Sequence, residues 1–379
     1  MNNQSPGLLA TTLRDTPDYV KAQLGKLSTI RRDLRKQRER SLPALPRNVT
    51  KLDISPEFAV TGGEDSRPFL IHDSGPRRDR FVVFGTPENV DILGRAKVWC
   101  MDGTFKTSSR LFQQSYVIRA IEDNVCTTCI YAFMTNKTEI MYKGVFAVVL
   151  NQITQRGHAS RPEIVMMDFE KGAMNAVNNV FGSGVQVKGC FFHLCQSTWR
   201  HIQGNGIVKL YKSRPDIKLH CGMLDALAFL PVADVPAGML FLWASAPVEL
   251  ADILLYFEQT YVGGQVGTNS SAPFPPPVWN MNTIVLQDLQ KTNNFCESWN
   301  NRFQHLVGCT NPSFWTVLRA IQKDEALERT SRLLPSELRQ VNKKERALRE
   351  VIKEKCIEYR SGIMNMETFL LQVGSKMRF

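Results

Sequence analysis

Three carboxylates stand out in this chain because of the residues around them. Asp102 follows the apolar run Val98-Trp99-Cys100-Met101 and is followed by Gly103-Thr104-Phe105. Sixty-six residues later the same pattern returns, with Glu163-Ile164-Val165-Met166-Met167 leading to Asp168. A carboxylate emerging from a buried strand is costly to desolvate unless it is hydrogen-bonded, paired or bound to metal. Taken alone, each Asp could simply close a strand and enter a turn, with Gly103 freeing the backbone to turn. Two such aspartates could also lie side by side on one sheet. The third carboxylate, Glu297, sits in Thr292-Asn293-Asn294-Phe295-Cys296-Glu297-Ser298-Trp299-Asn300. Thr292 or Asn293 could cap a helix there, with Glu297 in its first turns. Three carboxylates can hold two Mg²⁺ or Mn²⁺ ions about 3.5–4 Å apart, an arrangement suited to in-line displacement at phosphorus. Oxygen donors select hard cations of this kind over zinc.

The elements that must position these groups follow from periodicity. After the Asp102 strand come two β-rich runs, 114–120 and 127–133, joined by Glu122-Asp123-Asn124, so three strands form an antiparallel meander. Tyr142, Val145, Phe146, Val149, Leu150 and Ile153 recur at helical spacing over 139–156. A strand ending at Asp168, a helix over 170–181 and a strand over 185–190 complete a βββαβαβ order. Parallel crossings in such a sheet would bring the Asp102 and Asp168 ends together.

Asp102-Gly103-Thr104-Phe105, Met167-Asp168-Phe169-Glu170, Cys190-Phe191-Phe192-His193 and Thr292 to Glu297 occur in the order of the catalytic motifs of Mutator-like transposases, and residues 95–325 resemble that family. The resemblance implies an α/β, ribonuclease-H-like (retroviral-integrase-like) core with a helical insertion before the last catalytic helix. It further implies a DDE triad of Asp102, Asp168 and Glu297 that uses two divalent ions, Mg²⁺ or Mn²⁺, to cut and join DNA strands. Cys190 and His193 match the family's C-x2-H motif and would organise the active site or contact DNA beside it. Two ligands are too few for a closed zinc site, and the nearest further donors, Cys195 and His201, match no zinc module. The pair Cys126 and Cys129 reads as two strand cysteines. The chain departs from the family at Asn300, where relatives often carry histidine. Residues 1–71 hold no cysteine or histidine, so the zinc finger of many relatives is not expected there.

Charge gives an independent indication. Of a net charge of +11, residues 1–50 carry ten basic against four acidic groups and residues 331–379 carry eleven against six, which leaves the middle neutral. Basic flanks suit sequence-independent attraction to a phosphate backbone, although solvated helical faces look the same. Arg31, Arg32, Arg35, Lys36, Arg38, Arg40, Lys343 and Lys344 are the candidate DNA contacts. The run 31–40 also fits a nuclear-import signal, and nuclear localisation is expected. Double-stranded DNA is the expected partner, and a homo-oligomer would bring two element ends together. No run approaches the ~18 apolar residues needed to cross a bilayer. The nine cysteines form no disulfide framework.

The expected organisation is a basic helical arm over 1–48, with a helix over 14–40, and a strand-and-loop lead-in over 49–94. The core's first part would be 95–192, followed by a helical insertion and Pro/Gly-rich connector over 193–280. The core's last helices would be 281–330, with a second helix near 312–330, and a basic helical tail over 331–379 would hold a charged helix over 336–360 that stops at Gly362. Trp199, Trp243, Trp279, Trp299 and Trp315 could stack on an unpaired base, Trp299 above all, or could pack in the core. An alternative reading keeps the fold and the DNA binding but not the cleavage: a domesticated, transposase-derived chromatin protein.

Overall fold

The computed structural model describes residues 42–377 apart from 105–106, 123–124, 159–161, 264–270, 289–293, 310 and 334–342, together with scattered residues between 14 and 33. The side chains of 294–298 and 343–345 lie outside that description. Strands β1 (Leu70–Asp73) and β2 (Phe81–Phe84) come first, then helix α1 (Pro87–Arg95). Strands β3 (Val98–Thr104), β4 (Gln114–Glu122) and β5 (Val125–Met134) precede helix α2 (Glu139–Gln155). Strand β6 (Ile164–Met167), α3 (Lys171–Phe181), β7 (Gln186–Gly189) and α4 (Phe191–Gly204) follow. Shorter helices fill the stretch from Val208 to Leu286. The chain then enters α5 (Asn294–Val307), α6 (Phe314–Leu333), α7 (Lys343–Arg360) and α8 (Met366–Gly374). The fold is mixed α/β.

The chain divides into two compact units. The first comprises Met1–Lys97, Met101–Arg161 and Cys296–Leu333; the second comprises Val98–Cys100, Pro162–Phe295 and Leu334–Phe379. Strand β3 contributes residues to both.

In the first unit the strand order runs β1-β2-β5-β4 and continues to β3, and the pairs β1/β2, β2/β5 and β4/β5 are antiparallel. The expected lead-in is therefore sheet: Phe81-Val82-Val83-Phe84 pairs with the outer edge of β5, Phe81 opposite Met134. Helix α1 was not anticipated from the sequence, since Thr86-Pro87 reads as a break. Thr86 instead caps the helix, its side chain accepting from the Asn89 N–H, and Pro87 takes the first helical position, where its missing N–H costs nothing. Helices α5 and α6 bury Trp299, Phe303, Phe314, Trp315 and Leu318 in one apolar cluster with Phe69, just before β1, and with Phe84, Tyr131 and Phe133 of the strands.

In the second unit Val98–Cys100 pairs in parallel with β6, and β6 pairs in parallel with β7. Trp99 meets Phe181 of α3 edge-on at 5.3 Å. The expected Pro/Gly connector is partly helical, because Pro276–Trp279 forms a short helix and Trp279 is fully buried. Helix α7 ends as expected near Gly362, at φ +73°, a conformation that glycine adopts without strain. Helix α8 beyond it was not anticipated, and it buries Phe369, Leu370 and Val373. Of the long helix expected over 14–40, Asp18–Lys21 forms one turn and most of the remainder lies outside the described residues. Among the described residues no helix is long and apolar enough to cross a membrane.

Candidate active site

Asp102 is the fifth residue of the seven-residue strand β3, so it does not end its strand as the sequence suggested. Gly103 is likewise a strand residue. Its requirement for glycine comes from a close approach: a Cβ at this position would stand 1.8 Å from Nε2 of Gln114. Gln114 is fully buried and its Oε1 accepts from the Tyr142 hydroxyl at 2.9 Å, so it has little freedom to retreat. Asp102 is 6 % exposed. Its Oδ1 accepts from the Gly103 N–H at 2.9 Å and its Oδ2 accepts from Nδ2 of Asn300 at 2.8 Å.

Glu297 lies in helix α5, three residues before Asn300, and its side chain is outside the described residues. Positions three apart share one face of a helix. The face of α5 that meets Asp102 through Asn300 is therefore the face on which position 297 stands. The capping residues suggested for this helix, Thr292 and Asn293, lie outside the described residues.

In the second unit, Asp168 directly follows β6 and is a strand-end residue, as anticipated. Its Oδ1 accepts from the Phe169 N–H at 2.6 Å, which turns the carboxylate back over the start of the next segment. Phe169 fills the space that a side chain at Gly189 would need, since a Cβ there would lie 2.5 Å from its ring. Nδ1 of His193 stands 3.8 Å from Asp168 Oδ1, too far for a hydrogen bond but close enough for charge to be felt. His193 is the third residue of α4. Cys190 caps that helix in an extended conformation, with its N–H donating to the Met167 carbonyl at 2.8 Å. The C-x2-H spacing thus spans one strand-to-helix junction, with Cys190 buried in the packing and His193 partly exposed beside Asp168.

Among the described residues no three His, Cys, Asp or Glu side chains form a metal-binding group, and the Glu297 side chain is not among those described. Cys129 is buried, and that burial pushes its thiol up to about 12, so it stays protonated and is a poor zinc ligand. Trp299, Trp279 and Trp315 are core residues. Trp299 stacks on Phe303 at 4.7 Å and is not available to a base, while Trp199 and Trp243 are only partly buried. Of the candidate DNA contacts, Arg32 is exposed beside Asp33 at 3.4 Å. Arg31, Arg35, Lys36, Arg38 and Arg40 lie outside the described residues, as do the side chains of Lys343 and Lys344.

Sequence reasoning noted Asn300 only as a departure from the expected histidine and missed its contact with Asp102. The signal was present, because i and i+3 on one helix share a face.

This mixed α/β chain carries, over residues 98–197, a match to the MULE transposase domain. The matched stretch includes Asp102, Asp168, Cys190 and His193 and ends well before Glu297. Comparison of the whole chain with curated proteins returns no match.

Proposed function

We propose that this chain is the catalytic core of a Mutator-like DNA transposase with a ribonuclease-H-like fold, and that Asp102, Asp168 and Glu297 are its DDE carboxylates. The observation that carries the reading is the Asn300–Asp102 hydrogen bond, which ties the first Asp to the helix bearing Glu297. The strand positions add support. Asp102 is held within β3 by two hydrogen bonds, and Asp168 stands directly at the end of β6. The MULE match over 98–197 agrees with this reading.

The donor set fits Mg²⁺ or Mn²⁺, since all three residues offer carboxylate oxygens and Asp102 is already oriented by two donors. Such ions supply, when bound, an activated oxygen nucleophile and neutralisation of charge at the leaving oxygen. The chain's own contribution is orientation. Gly103 and Asn300 fix Asp102, Phe169 fixes Asp168, and Nδ1 of His193 stands 3.8 Å from the Asp168 carboxylate.

Double-stranded DNA is the proposed partner and the nucleus the proposed compartment, supported by ten basic against four acidic groups in residues 1–50. A homo-oligomer is proposed because two element ends must be joined. The test is Mn²⁺-dependent nicking of supercoiled plasmid by the wild type and by Asp102→Asn. Nicking that is lost in the variant supports the reading. DNA binding with no nicking under any divalent ion would favour the domesticated chromatin protein.

A further inference from the structure

We propose that Asn300 is a positioning residue for metal binding, orienting Asp102 through Nδ2 without cancelling its charge; this rests on the two-ion reading of the carboxylates above. A carboxylate can bond only to a donor, so it must face the amide nitrogen of Asn300, and the observed Nδ2–Oδ2 distance is 2.8 Å. Gly103 fixes the other oxygen, so the two bonds together set the rotation of the carboxylate about its Cβ–Cγ bond. A lysine, arginine or protonated histidine at position 300 could make the same bond, but it would set a positive charge against a group that must attract a divalent ion. The carboxamide donates equally well and stays neutral at every pH at which the protein folds.

The other end of the same side chain supplies a second, independent observation. Oδ1 of Asn300 is buried and has no hydrogen-bond partner among the described residues. A buried acceptor left in that condition costs about 1–3 kcal/mol, and in native proteins it marks a place where water or an ion completes the bonding. One side chain therefore both fixes a candidate ligand and leaves an oxygen lone pair in the same buried neighbourhood. Outer-shell partners of metal ligands of this kind change affinity about 10–100-fold when removed.

The helix supplies the rigidity that such a role needs. Trp299, the preceding residue, is locked against Phe303 and Asp324, so α5 cannot rotate to carry Asn300 away from Asp102 without breaking buried contacts.

The experiment is a calorimetric titration of the full chain with Mn²⁺, comparing wild type, Asn300→Leu and Asn300→Gln, with the thermal midpoint of each metal-free protein measured alongside. Leucine keeps the volume and removes the donor; glutamine keeps a carboxamide on a longer stem. The expected result is a loss of affinity per folded molecule of at least tenfold in Asn300→Leu and partial recovery in Asn300→Gln. Wild-type affinity in Asn300→Leu overturns the inference while leaving the carboxylate site standing. A lowered midpoint with unchanged affinity per folded molecule also overturns it, because Asn300 would then be a packing residue. A wild-type chain that binds no Mn²⁺, with or without DNA, removes the two-ion reading and this inference together.

Discussion

Trp299 donates its indole N–H to the carboxylate of Asp324 at 2.7 Å, so the helix that carries Glu297 and Asn300 is anchored by a fully buried charge. Asp324 also accepts from the Tyr131 hydroxyl at 2.7 Å and from Arg302 at 2.8 Å, and Arg302 reaches on to Glu328. Strand β5, α5 and α6 are thereby joined at one point. Burial, and then the nearby carboxylate of Asp324, raises the Tyr131 hydroxyl well above its ordinary range, so it remains a donor.

Removing that carboxylate takes the acceptor from Trp299 and Tyr131 and leaves Arg302 with Glu328 alone. Asp324→Ala is expected to cost about 3–5 kcal/mol, the range for breaking a buried charged pair. Trp299→Phe keeps the ring stack and loses one donor, for about 1 kcal/mol. Urea denaturation of the two variants checks the ordering; equal costs would show that the stack, and not the carboxylate, holds the helix.

Gly103→Ala tests the close approach beside Asp102. The added methyl group meets the buried Gln114 amide, and overpacking of this kind costs about 1–3 kcal/mol. The double variant Gly103→Ala with Gln114→Ala is expected to recover part of the loss, read as a rise in thermal midpoint over Gly103→Ala. No recovery would mean that the glycine is needed for backbone conformation instead.

The pH dependence of stability has one traceable contribution. The Arg156 guanidinium bonds both oxygens of Asp91, at 2.6 and 2.5 Å, and with His158 it lowers the Asp91 carboxyl to about 2. A carboxyl depressed on folding contributes stability above its unfolded value near 4 and loses it as pH falls through about 2. Solvent screening limits the contribution to about 1 kcal/mol, because the pair is partly exposed. Asp91→Asn should therefore flatten the fall in stability between pH 4 and pH 2 relative to the wild type. Parallel curves would contradict the assignment.

Much of this was legible in the sequence because it depends on local pattern. The period-2 and period-3.6 apolar spacing located β4, β5, α2, β6, α3 and β7 to within a few residues, and the run into Asp168 ended where it was expected to end. What escaped depends on contacts between distant segments. Gly103 reads as a turn signal, yet it is glycine because Gln114 presses on it across the sheet. Thr86-Pro87 reads as a break, although a capping threonine before proline can equally open a helix. Trp299 reads as a core residue or a stacking surface for a base, and its burial and its N–H bond to Asp324 place it in the core. Asn300 reads as the loss of a histidine until its amide is found on Asp102.

We propose that Asp102, Asp168 and Glu297 are the carboxylates of metal-dependent catalysis. The most direct test follows Mn²⁺-dependent nicking of supercoiled plasmid by the wild type and by Asp102→Asn, Asp168→Asn and Glu297→Gln, with circular dichroism confirming that each variant is folded. The account predicts nicking by the wild type and a loss of at least a hundredfold in every variant. A folded variant that nicks at the wild-type rate would contradict it.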